Sequence, residues 1–200
     1  MSTIGVIYFS DNELHCLDVA YGISSLRRID HNLSVHKIDN ESFDTEFKLL
    51  VHEKKDILVI FLSYGCYDLL QKICSYIKCI NNKTSVIVCH SLSTYYFAEV
   101  LREINQIDIA VLGEYEETLY EICNHINENE FIERCKGIAY IKNGQLHVNN
   151  KRKLTNIDEI TFPYRDFTNS STRFFHVYGS RGCEAIALFV IEIDYIQAII

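Results

Sequence analysis

Ile57-Leu58-Val59-Ile60-Phe61-Leu62 is an unbroken apolar run between Asp56 and Ser63. A strand with one wet face alternates apolar and polar residues, so this run predicts a strand covered on both faces, the central strand of a parallel sheet. Four further segments read as strands: Thr3 to Phe9, Leu33 to Ile38, Ser85 to Cys89 and Ile107 to Leu112. Between and after them, apolar residues recur at helical spacing. These are Cys16, Val19, Ala20, Ile23 and Leu26; Phe43, Phe47, Leu50 and Val51; Leu69, Leu70, Ile73, Cys74, Ile77 and Ile80; Phe97, Val100, Leu101 and Ile104; and Leu119, Ile122, Cys123 and Ile126. Five strands alternating with helices predict an α/β fold with right-handed crossovers and a doubly wound, five-stranded parallel sheet.

From residue 135 the pattern changes. Gly137 to Ile141 and Gln145 to Val148 flank Asn143-Gly144, a strong hairpin turn signal, and read as a small β-hairpin appendage. The only proline, Pro163, lies in an extended linker. The expected divisions are an α/β domain over 1–134, the hairpin over 135–156, the linker over 157–178 and a different segment over 179–200.

Composition narrows the function. A net charge of −8 with no clustered basic surface argues against a nucleic-acid binder, and Lys151-Arg152-Lys153 reads as a solvated turn. The start of the chain lacks the charged and long apolar stretches of a signal peptide, so the expected setting is cytoplasmic. Cys74, Cys89 and Cys123 fall within apolar patterns and read as reduced, buried thiols. The apolar stretch from Ala185 to Ile200 carries Glu192 and Asp194 and is short for a membrane span. Phosphate-loop and nucleophile-elbow motifs are both missing.

In a doubly wound sheet, ligands sit outside the C-terminal ends of the strands. This rule selects Ser10-Asp11, Ser63-Tyr64-Gly65, Cys89-His90-Ser91 and Gly113-Glu114. His31, His52, His125 and His147 fall in surface-like contexts. His15, in Glu13-Leu-His15-Cys-Leu-Asp18, reads as a helix-start histidine, with metal ligation as its alternative. His90 is equally open to a ligand role or a structural one. Ser93 or Thr94 reads as a helix cap, and Glu114, Glu116 and Glu117 as acids favouring the positive end of the next helix.

Four segments, taken in order, resemble a known family. Asp108 to Leu119, with Gly113, Glu114, Glu116 and Thr118, is similar to the segment that ends the cobalamin-binding domain of cobalamin-dependent radical S-adenosylmethionine (radical SAM) enzymes. Gly137-Ile-Ala-Tyr140 with Asn143-Gly144 resembles the family's next piece, Ile157 to Asp166 its linker, and Ser180-Arg181-Gly182-Cys183 the start of its iron-sulfur loop. The resemblance implies a flavodoxin-like, Rossmann-like cobalamin domain. Its corrinoid would lie across the strand ends, with Ser10, Asp11, Ser63, Tyr64, Gly65, His90, Ser91, Thr94, Gly113, Glu114 and Glu116 as the cofactor-binding set.

The departures from the family pattern lie at both sites. The family's fourth-strand loop carries two glycines where this chain has Cys89 and His90, and keeps only the threonine, Thr94. Cys183 is the sole cluster thiol, because Ala187 and Val190 stand where the next two cysteines are expected. An iron-sulfur cluster is therefore not expected in this chain, although the family carries one. The expectation is a cobalamin-binding-type domain of a truncated or degenerate radical SAM protein, without catalysis of its own. Two alternatives stand beside it: a cofactor-free flavodoxin-like interaction or regulatory module, and one chain of a split enzyme whose radical SAM barrel is a separate polypeptide.

Overall fold

The computed structural model describes residues 2–9, 13–29, 32–39, 41–126, 128, 131–166 and 177–179, with the backbone alone at 13–15 and 157. The alternation expected from the apolar pattern is present. Strand β1 (Thr3–Tyr8), helix α1 (Glu13–Leu26), β2 (Asn32–Lys37), α2 (Phe43–His52), β3 (Ile57–Phe61), α3 (Tyr67–Ile80), β4 (Ser85–Cys89), α4 (Ser91–Tyr95), α5 (Phe97–Glu103), β5 (Ile109–Val111) and α6 (Glu116–His125) follow one another. Helix α7 (Phe131–Arg134) and strands β6 (Ile138–Lys142) and β7 (Gln145–Val148) come next.

The strands form one sheet in the order β2-β1-β3-β4-β5-β6-β7. The β1–β2, β1–β3, β3–β4 and β4–β5 pairs are parallel, and β5–β6 and β6–β7 are antiparallel. The five-stranded parallel sheet expected from the pattern is therefore part of a mixed, seven-stranded one, and the hairpin continues it. The reason lies in β5, which has only three residues and would otherwise be an apolar edge open to pairing with another chain. Ala110 pairs with Ala139 and Val111 with Ile138, and the Leu112 N–H reaches the Gly137 carbonyl at 2.8 Å.

Strand β3 shows why its sequence is unbroken. Ile57, Val59 and Phe61 enter the layer beneath α1 and α6, while Leu58 and Ile60 enter the opposite layer with α2, α3 and α5. Each of these side chains is at most 1% exposed, and burying one contributes about 1.5–3 kcal/mol. Gly22 sets the approach of α1 to this strand, because a Cβ there would meet Phe61 Cζ at 2.3 Å.

After β7 the chain crosses α6 and returns along α1. Arg152 is pinned by Thr118 (2.9 Å) and by both carboxylate oxygens of Glu121, so this middle residue of the basic turn is not a solvated one. Further along, the Phe162 carbonyl accepts from Ser24 Oγ at 2.6 Å, the Tyr164 N–H donates to the Ala20 carbonyl at 3.1 Å, and Arg27 lies 3.9 Å from the Tyr164 ring centroid. Pro163 thus sits in a strap laid on α1. Among the described residues, no helix is long and apolar enough to cross a membrane.

Candidate functional site

Parallel strands end together, so β3, β4 and β5 bring the loops after them to one edge of the sheet. Backbone and hydroxyl hydrogen bonds tie these loops to each other. The Leu62 N–H donates to the Cys89 carbonyl at 3.1 Å, and the Gly113 N–H donates to Thr94 Oγ1 at 2.9 Å. Ser93 is fully buried and donates to the Val111 carbonyl. The hydroxyls after β4 therefore brace this edge.

His90 lies at its centre. Its backbone has φ 87° and ψ 177°, a region that is essentially glycine's own and costs a side-chain-bearing residue about 1–3 kcal/mol. What holds it there is the imidazole. Nδ1 lies 2.9 Å from the Leu62 carbonyl and Nε2 lies 2.8 Å from Asp18 Oδ2. A carbonyl and a carboxylate only accept, so both ring nitrogens face acceptors and the ring is paired with Asp18.

Asp18 collects more than this one partner. Its Oδ1 accepts from the Tyr178 hydroxyl at 2.7 Å and from the Tyr115 hydroxyl at 3.2 Å. Burial raises the Asp18 carboxyl, and the hydrogen bond and charge of His90, followed by the bonds from Tyr178 and Tyr115, outweigh that and hold it below its ordinary value of 3.8. The Tyr178 ring stacks on Tyr21 at 5.4 Å between centroids, and its N–H donates to the Tyr21 hydroxyl at 3.2 Å. Tyr115 packs edge-on against Phe61, which joins the cluster to the core.

Ser91, His90 and Asp18 have the composition of a nucleophile relay but not its geometry. Ser91 Oγ is 3.3 Å from Nδ1, while the Leu62 carbonyl is nearer and takes the proton of that nitrogen. With that site filled, the ring cannot accept the serine's proton.

The sequence-selected residues divide into three groups. Ser63, Tyr64, Gly65, His90, Ser91, Thr94 and Gly113 come together at the edge. Tyr64 is 73% exposed, and Gly65, at φ 79°, has no atom within 4 Å of where a Cβ would stand. Of the two acids, Glu114 accepts the Thr155 N–H on Oε2 at 2.7 Å, and Glu116 is buried at the first residue of α6. Ser10, Asp11, Cys183 and the segment from Ala185 to Ile200 lie outside the described residues, as does the side chain of His15.

Asp18, Tyr21, Tyr115 and Tyr178 were absent from the predicted set. A signal for Asp18 exists, since it is the sole charged residue between His15 and Arg27 on a helix whose residues from Leu17 to Leu26 are otherwise apolar or small and uncharged. Tyr178 has none. The thiols of Cys74 and Cys123 are buried as expected, and burial pushes both up to about 12, which suits packing rather than reactivity.

Exposed Tyr64, open Gly65 and exposed Ser91 leave aromatic, backbone and hydroxyl groups accessible at this edge, the kinds of group that a large ligand with polar substituents uses. The His90 ring does not fit the part of a metal ligand here, because both of its nitrogens are engaged.

No protein-family model and no curated protein sequence matches this chain. Solved structures do. The cobalamin-dependent S-adenosylmethionine radical enzyme OxsB superposes on 83% of this chain with a TM-score of 0.67 at 16% identity. The radical S-adenosylmethionine methyltransferase TsrM from Kitasatospora setae, solved with cobalamin and a [4Fe-4S] cluster bound, superposes on 82% with a TM-score of 0.59 at 17% identity. At these identities the likeness is one of fold. This chain spans 24% and 31% of the lengths of those two chains.

Proposed function

We propose that this chain is a flavodoxin-like corrinoid-binding domain of the kind found in cobalamin-dependent radical SAM proteins, and that it binds rather than catalyses. The observation that carries the reading is the parallel order β2-β1-β3-β4-β5 with its open edge at Ser63–Gly65, Ser91 and Gly113, in a fold shared with two cobalamin-dependent or cobalamin-bound enzymes. A corrinoid would rest on Ser63, Tyr64, Gly65, Ser91, Thr94 and Gly113 and supply the metal-centred chemistry when bound. The chain's own residues would set its seat and exclude water beneath it.

Cys183 has Ala187 and Val190 in place of companion thiols, so the motif at residues 180–190 is given no cluster in this reading. The buried, unreactive thiols suit a cytoplasmic setting.

Titration of the purified chain with hydroxocobalamin tests the reading. Comigration on gel filtration with a change in the visible spectrum is the expected result, and free passage of the corrinoid with an unchanged spectrum overturns it.

A second reading, a cofactor-free interaction module, is favoured by one observation. His90 occupies a glycine-type position on the edge and is clamped by the protein's own groups. The titration decides between the two.

A further inference from the structure

We propose that Asp18 couples occupancy of the sheet edge to docking of the segment that carries Tyr178. The carboxylate divides its oxygens: Oδ2 faces His90, while Oδ1 faces the hydroxyls of Tyr178 and Tyr115. Because the partners use different oxygens, they do not compete. His90 instead fixes the rotation of the carboxylate that aims Oδ1 at Tyr178.

The two ends of this relay differ in character. On the edge side, His90 is held in a glycine-type backbone by its two ring bonds, so a group that draws the ring away also relieves strain. On the other side, Tyr178 is docked through Tyr21 and Asp18, both on α1, which also carries the strap at Ala20 and Ser24. A ligand laid over Gly65 and Ser91 whose acceptors compete with Asp18 for Nε2–H leaves the carboxylate without that partner and free to rotate. Tyr178 then undocks. The edge thus reports its occupancy to residues 177–179. By linkage, anything that holds Tyr178 in place also holds His90. The ligand half of this inference rests on the corrinoid reading above, and the His90–Tyr178 coupling does not.

Hydrogen exchange of the Tyr178 amide in the full chain, followed by NMR after 15N-tyrosine labelling, tests the coupling. Tyr178 is held by Tyr21 and Asp18, and His90→Gly is expected to raise its amide exchange at least about fivefold through Asp18. Ser24→Ala, which removes a strap contact outside the relay, is expected to change it less than twofold. Should His90→Gly fail to fold, Tyr178→Phe is read from the other end, as a shift of the His90 ring nitrogen resonances. Exchange unchanged in folded His90→Gly, or ring resonances unchanged in Tyr178→Phe, overturns the coupling. Saturating hydroxocobalamin is expected to speed the same exchange; corrinoid bound with exchange unchanged overturns the ligand half. No corrinoid bound overturns the functional reading, and the two variants still decide the coupling.

Discussion

His90 and Asn143 both have positive φ without being glycine, for opposite reasons. Asn143, at φ 53°, precedes Gly144 at φ 75° in a hairpin turn, where asparagine tolerates the left-handed region and the strands demand it. The strain there is small and the cause is local. His90, at φ 87° and ψ 177°, stands where asparagine would gain nothing, and partners far along the chain hold it in place. One conformation follows from the residue type, the other from what the side chain finds after folding. Strain bound to long-range polar partners marks a place where the fold is serving something besides its own stability.

The sharpest way to break this contrast is to remove the group that anchors His90. Asp18→Ala strips the His90 ring and the Tyr178 hydroxyl of their carboxylate partner in a mostly buried site, while Tyr115 keeps the main-chain carbonyl of residue 18, an expected loss of about 2–3 kcal/mol by chemical denaturation. Acid reads the same interaction. The Asp18 carboxyl lies below its unfolded value, so its contribution is complete above 3.8 and is lost as pH falls through the lower folded value. Asp18→Ala should therefore flatten the acid end of the stability profile. A profile that keeps the wild-type slope there would separate Asp18 from the clamp.

A pair of substitutions at His90 comes next. Glycine ordinarily destabilises relative to alanine, yet here alanine keeps the strained backbone without the bonds that maintained it. His90→Gly is expected to be more stable than His90→Ala by about 1–2 kcal/mol, an inversion read directly from two urea melts. The usual order at this position would mean that the strain is not there.

The smallest effect belongs to the hairpin. Asn143→Ala is expected to cost about 1 kcal/mol and Asn143→Gly only a few tenths, because the turn needs left-handed backbone and nothing more. An Asn143→Gly loss as large as that of Asp18→Ala would give Asn143 a long-range role and erase the contrast with His90.

Much of the fold was readable along the chain. The unbroken Ile57–Leu62 run announced a strand buried on both faces, and its residues divide between two core layers. Asn143-Gly144 announced the hairpin. The destination of the hairpin was not readable, because nothing between residues 137 and 148 states that a three-residue β5 leaves an edge to fill. The edge loops Ser63–Gly65, His90–Thr94 and Gly113 were selected by topology alone, whereas nothing local foretold that Glu114 receives the Thr155 N–H.

Periodicity and turn chemistry act over a few residues, and for that reason the order of strands, helices and turns could be read from the amino acids alone. The cluster that distinguishes this molecule depends on contacts of a different range. His90 and Asp18 are 72 positions apart, and Asp18 and Tyr178 are 160 apart. Apart from the lone charge of Asp18 on α1, neither pair leaves a local trace, because a histidine after a strand or a tyrosine in a linker satisfies many environments equally well. The packed sheet and α1 had to bring them within hydrogen-bond reach before the glycine-type backbone of His90 had a cause.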